Sequence, residues 1–122
     1  MYFIILNLFL YIYSSYYRRN IKRKFLICGL VQDHHIIPRE FRNLINYNSS
    51  KLINSIDDSK NLIMMPTNYG KLYLNTQRSI HENGHKHYNR YIFKLISNNY
   101  SVDFIIKHVK QQLRTGEITR VI

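Results

Sequence analysis

Cysteine is nearly absent: the chain of 122 residues holds only Cys28. A single thiol excludes an intrachain disulfide and a cysteine-rich zinc site, so a metal here must be held by histidine or carboxylate. Acidic residues are also scarce. Seven Asp and Glu stand against eighteen Lys and Arg, a formal net charge of +11. An excess of that size points to a polyanionic partner, either nucleic acid or an anionic membrane face. A coding bias toward Lys, Asn, Ile and Tyr would leave the same excess with no partner at all. Glycine and proline are few, at four and two residues. No Gly/Ser linker and no repeat divides the chain, and its length suits one domain with a modest core.

Long apolar runs are confined to the beginning, "MYFIILNLFLYIYSSYYRRNIKRK". Through Tyr17 the segment is apolar or aromatic except for Asn7, Ser14 and Ser15, and a basic run from Arg18 to Lys24 follows. A spanning helix needs about 20 apolar residues, so this run is borderline. The positive charge follows the apolar run, and no small-residue cleavage site is seen, unlike a secretory signal. As an anchor, residues 1–17 would associate with a membrane, and the positive-inside rule would leave the remainder on the cytosolic side. A buried helix or strand, or an extension ahead of the true start, accounts for the same residues. The boundary falls at the basic run, separating residues 1–24 from a domain over residues 25–122.

Within that domain, "FLICGLVQ" reads as a short buried strand running straight into "DHHIIPREF". Pro38 stops it and biases Ile37 to an extended conformation. Phe41, Leu44 and Ile45 allow a short helix from Arg39 to about Asn48. "SSKLINSIDDSKN" reads as a loop, with Asp57, Asp58 and Ser59 as turn formers. "NLIMMP" is a second strand, closed by Pro66, and "TNYGKLYLNTQRS" reads as irregular. A helix is expected from Gly84 or His85, with Tyr88, Ile92, Leu95 and Ile96 on its apolar face and Asn98 and Asn99 at its end. A last helix has Ser101 as cap, Val102, Ile105, Ile106, Val109 and Leu113 as stripe, and Gly116 as stop.

Five of the six histidines fall in two clusters, His34–His35 and His81, His85, His87. His81 and His85 are four apart, a spacing that on a helix turns both rings to one side and suits a shared metal. Glycine between them permits a tight entry into the helix. On the same geometry His87 points elsewhere and reads as a bystander. In a strand, His34 and His35 point to opposite faces, so one imidazole can ligate a metal while its neighbour addresses something else. Two exposed histidines at a strand end would carry the same letters. His108, alone on the last helix, reads as a surface residue.

Taken together, "DHHIIP", "DDSKNLIMMP" and "HENGHKHYN" resemble the HNH/endonuclease VII superfamily of nucleases, and within it the AHH-type group. That group has an HH pair followed by two apolar residues and Pro, then Asn, apolar residues and Pro, then His-x-x-x-His-x-x-Tyr-Asn. The three motifs occur in order over Ile27 to Leu95. Asp33 stands where the group's name implies alanine, and Gly84 lies one place later than usual.

The resemblance implies an α+β fold with a small ββα-metal (His-Me finger) core and additional helices. It implies a metal-dependent endonuclease hydrolysing DNA or RNA phosphodiesters. His34, His81 and His85 would ligate one divalent metal, His35 would be the general base, and Asn61 would hold the loop and orient that base. Tyr88 and Asn89 match the last motif. Imidazole is the side chain whose unperturbed pKa lies near neutrality, which suits it to take a proton from water. An imidazole set suits Zn, Ni, Co or Mn better than Mg, which prefers oxygen ligands but could serve if water and phosphate oxygens supply the rest. Arg39, Arg42, Lys71 and Arg78 flank the motifs as candidate phosphate contacts, which bring affinity without sequence preference. No separate base-reading module is present, so low sequence specificity on double-stranded DNA is expected. A toxin domain with an immunity partner, a mobile-element endonuclease and a virus-encoded nuclease all fit. Two other readings stand beside this one: a non-catalytic metal module that binds nucleic acid, and a basic membrane-associated protein with incidental histidines.

Overall fold

Two five-residue strands on either side of a long loop pair antiparallel. Strand β1 is Val31–His35 and β2 is Leu62–Pro66, in register from Val31↔Pro66 to His35↔Leu62. The structure, a computed structural model, describes residues 15–24, 27–81 and 86–122. Strand β2 lies where the apolar run before Pro66 predicts it. Strand β1 is displaced toward the C-terminus from "FLICGLVQ". Gly29 takes φ +83, a left-handed conformation that turns the chain and that an extended strand does not contain. Pairing therefore begins at Val31, and the strand itself carries the histidine pair.

Every residue of β2 is buried, because both faces of the strand are covered. Ile63 and Met65 join the main core with Ile36, Ile37, Ile53, Tyr88, Ile92, Ile105 and Val109. Met64 points the other way, into a smaller cluster with Ile27 and Val31. The main core lies between the sheet and a helical hairpin, α3 (Lys86–Ser97) and α4 (Val102–Thr115). Helix α4 follows its sequence signals closely. The Ser101 side chain accepts from the Phe104 N–H, the expected stripe is buried, and Gly116 ends the helix at φ +80. Asn99, at φ +64, makes the turn between the two helices. A last short helix, α5 (Ile118–Val121), buries Ile118.

The expected helix from Arg39 to Asn48 forms instead as two 3-10 segments, Arg39–Leu44 and Tyr47–Ser49, split by extended backbone at Ile45. Neither segment buries a residue fully, so there is no continuous apolar face to hold a longer helix. The loop is tied to α4 by Asp103, whose carboxylate accepts from Ser50 Oγ at 2.6 Å and from the Lys51 N–H at 2.9 Å. Partial burial pushes the Asp103 pKa up. The hydrogen bonds from Ser50, Lys51 and Leu52 outweigh that, and it ends below its ordinary value.

A helix also forms where the sequence reads as irregular: α2, Asn68–Tyr73. Thr67 caps it by accepting from the Gly70 N–H at 2.9 Å, and the Thr67 N–H donates to Leu30 O at 2.9 Å. Gly70 presses against the backbone of Leu30, where an added Cβ would lie 1.8 Å from the carbonyl oxygen. Backbone cannot yield as a flexible side chain does. Gly70→Ala is therefore expected to lower stability by about 3 kcal/mol, read as a lower urea midpoint at unchanged slope.

Helix α1 (Ser15–Lys24) precedes β1 in the chain and is linked to it by the ion pair Lys22–Asp33 at 3.3 Å. Among the described residues no helix is long and apolar enough to cross a membrane. The apolar run of residues 1–14, on which the anchor expectation falls, lies outside the described residues.

Candidate active site

The pleat of β1 separates the two histidines. His34 turns inward and is 6% exposed. Its ring meets Tyr88 edge-on, with centroids 4.6 Å apart, and His81 likewise at 5.2 Å. His81 follows α2 and is docked beside the sheet. Its backbone N–H donates to Pro66 O at 2.7 Å, and its Nδ1 lies 2.7 Å from Gln32 Oε1 on β1. A carboxamide oxygen only accepts, so Nδ1 carries the proton and Nε2 is the basic nitrogen of His81. Metal-ligating histidines commonly have such an outer hydrogen bond.

The spacing of the donor pair is compatible with a shared metal ion. With metal–nitrogen bonds of about 2.1 Å at a tetrahedral angle, the centroids of two ligating imidazoles stand about 5 Å apart, the separation found for His34 and His81. His85, the third expected ligand, lies outside the described residues. Among the described residues no group of three histidine, cysteine or acidic side chains gathers as a metal set. His87, read from the sequence as pointing elsewhere, lines the same cleft as His34, His81 and Tyr88, together with Lys71 and Lys86.

Asn61 is fully buried at the foot of the loop that follows His35. Its Oδ1 accepts from the Ile37 N–H at 2.9 Å. Its Nδ2 donates to Ile37 O at 3.0 Å and to Ile56 O at 2.8 Å. Its backbone carbonyl accepts from the Ile36 N–H at 2.8 Å. One side chain thus fixes the backbone just beyond His35 and the far end of the loop together. Tyr88, from α3, donates its hydroxyl to Ile36 O on the same turn. Burial raises the Tyr88 pKa well above that of an ordinary phenol, and nearby Tyr91 adds to the effect, so the hydroxyl stays a donor. Asn89 donates to the Glu40 carboxylate.

His35 turns outward and is 24% exposed at its side chain. Its Nε2 lies 2.8 Å from Asp57 Oδ1, and the same oxygen accepts from Arg39 Nε at 2.8 Å. The hydrogen bond with His35, and after it the one from Arg39, hold the Asp57 carboxyl below its ordinary pKa. Sequence reasoning took Asp57 for a turn former only. It lies 22 residues from His35 along the chain, at the head of the second motif but outside the Asn–apolar–Pro pattern that carries the resemblance. The one local sign is that a two-residue acidic turn offers two carboxylates: Asp58 caps the next 3-10 segment, and Asp57 is left to face outward.

The four basic candidates divide. Arg42 is exposed, and Arg39 holds Asp57 with its side chain 65% exposed. Lys71 turns its ammonium onto Thr76 O and Arg78 O, at 2.9 and 2.7 Å, bracing the segment that leads to His81. Arg78 is 4% exposed and donates to Met64 O at 2.7 Å, which places it in the interior and away from a phosphate backbone.

A two-stranded antiparallel sheet with a histidine pair on its first strand, backed by helices, makes a small α+β domain compatible with a ββα-type nuclease fold. The model of AHH, a nuclease family of the HNH/ENDO VII superfamily with conserved AHH, matches residues 30–119, and the chain belongs to that family. Asp33 takes the place of the alanine in that motif and is the residue paired with Lys22. No curated protein and no solved structure matches the chain.

Proposed function

We propose that the chain is a metal-dependent endonuclease of the ββα-metal type, hydrolysing phosphodiester bonds of DNA with low sequence specificity. The observation that carries this reading is the convergence of His34 and His81 at 5.2 Å beside a turn, held by Asn61, that presents His35. His34 and His81, with His85, would hold one divalent ion, for which Zn, Mn, Ni and Mg are the candidates. Such an ion supplies Lewis acidity, stabilising negative charge on the phosphate oxygens as the ester bond breaks. His35 takes the proton of the attacking water, a role that contributes about 10²- to 10⁴-fold in rate. Asn61 and Tyr88 keep the His35 turn rigid, so the base is positioned before substrate arrives. The net charge of +11 and the exposed Arg42 and Lys86 favour a polyanionic substrate held through its backbone.

The test is supercoiled plasmid incubated with the full chain in EDTA and, in parallel, with Zn, Mn, Ni or Mg. Nicking with at least one metal and none in EDTA is the expected result. Equal cleavage in EDTA would remove the metal from the mechanism, and intact plasmid with every metal would overturn the nuclease reading.

A further inference from the structure

We propose that Asp57 is the positioning residue of His35, that Arg39 holds Asp57 in place, and that the basic nitrogen of His35 is consequently Nδ1. The assignment rests on the nuclease reading above and extends it to a residue and an atom. An ionised carboxylate is an acceptor only, so a hydrogen bond of 2.8 Å between His35 Nε2 and Asp57 Oδ1 requires the proton on Nε2. The lone pair of the neutral ring is then on Nδ1. In the reaction the water O–H bond breaks, its proton goes to Nδ1, and the oxygen forms the new bond to phosphorus. The P–O ester bond breaks with its electron pair on the leaving oxygen, which takes a proton from solvent. The imidazolium formed on His35 is stabilised by the Asp57 carboxylate and later returns its proton to water.

Two independent observations support the assignment. The first is that Asp57 is kept ionised by two donors on one oxygen, His35 and Arg39, at 2.8 Å each. The second is how the loop is registered. Asn61 bonds to Ile37, two residues after His35, and to Ile56, one residue before Asp57. One buried amide therefore sets both ends of a loop that brings Asp57 over His35. The Asp57 N–H also donates to Ser55 Oγ at 3.2 Å, which holds the turn. Stability does not account for the arrangement, because the Asp57 and Arg39 side chains are 55% and 65% exposed and pairs so exposed contribute little to folding.

The experiment compares the full wild-type chain with Asp57→Ala, Asp57→Asn, Asp57→Glu and His35→Ala. One readout is the tautomer of His35 from long-range ¹H–¹⁵N spectra, which needs no activity. The other is kcat and KM for plasmid cleavage. In the wild type His35 is expected as the Nε2–H tautomer. Asp57→Ala should give a mixture of tautomers and lower kcat by roughly 10- to 100-fold with KM nearly unchanged, and Asp57→Glu should recover part of the loss. Undiminished kcat in Asp57→Ala, or a fall in kcat with the tautomer unmoved, would overturn the assignment alone. Full cleavage by His35→Ala would remove His35 as the base and overturn the assignment alone, whereas no cleavage by the wild type would overturn the nuclease reading and this assignment with it.

Discussion

His35→Ala is expected to lower the rate of plasmid cleavage by about 10²- to 10⁴-fold while the chain stays folded. The two parts of that expectation have separate grounds. The loss of rate follows from removing the group placed to accept a proton from water. The retained fold follows from where the ring sits: it points out of β1, with its side chain 24% exposed, and its contact is with the half-exposed Asp57. Strand pairing at His35↔Leu62 is a backbone matter and survives the substitution. Metal binding should survive too, since His34 and His81 lie on the other side of the strand. The measurement is single-turnover cleavage at saturating metal beside a thermal melt of the same preparation. A melting temperature within a few degrees of the wild type with cleavage gone would place His35 in the chemistry. Cleavage within about threefold of the wild type would remove it from the role of base.

The outcome for His35 also bears on what the sequence could disclose. The histidine pair, Asn61 and His81 are spaced by the elements that carry them, so their grouping was legible as motifs. Strand β2 was legible because an apolar run ends at Pro66, and α4 because cap, stripe and stop all agree. Helix α2 was hidden because it buries only Gly70 and so shows no apolar stripe; it is held by the Thr67 cap and a close approach to Leu30. Strand β1 was misplaced because Gly29 looks like an interruption within an apolar run, while its left-handed backbone ends that run. Asp57 was hidden because its partner lies across a loop whose closure depends on one buried amide. Lys71 and Arg78 have the composition of a phosphate-binding surface, but carbonyl oxygens of the fold occupy both cations. Charge counting cannot tell a solvated cation from one that satisfies buried backbone. The identity of those carbonyls is a tertiary fact.

That buried amide is the site of the largest expected loss of stability. Asn61→Ala removes one acceptor and two donors from a position with no exposed surface. The Ile37 N–H and the carbonyls of Ile37 and Ile56 would lose these partners inside the protein, and water has no path to replace them without opening the loop. A buried backbone group left unsatisfied costs about 1–3 kcal/mol, so the combined effect is expected at roughly 3–5 kcal/mol. Domains of this size hold about 5–15 kcal/mol, so the variant would lose a large share of its stability. Urea denaturation of Asn61→Ala beside the wild type measures it. A second variant, Asn61→Asp, keeps an acceptor for the Ile37 N–H but offers both carbonyls a buried negative charge, and should be at least as unstable. A loss under about 1 kcal/mol in Asn61→Ala would mean that the loop is held elsewhere. If the variant folds at low temperature, its cleavage rate should fall below the level set by its folded fraction. The same amide registers His35 against Asp57, and a loop that is free to slide no longer holds the base at a fixed angle to the substrate.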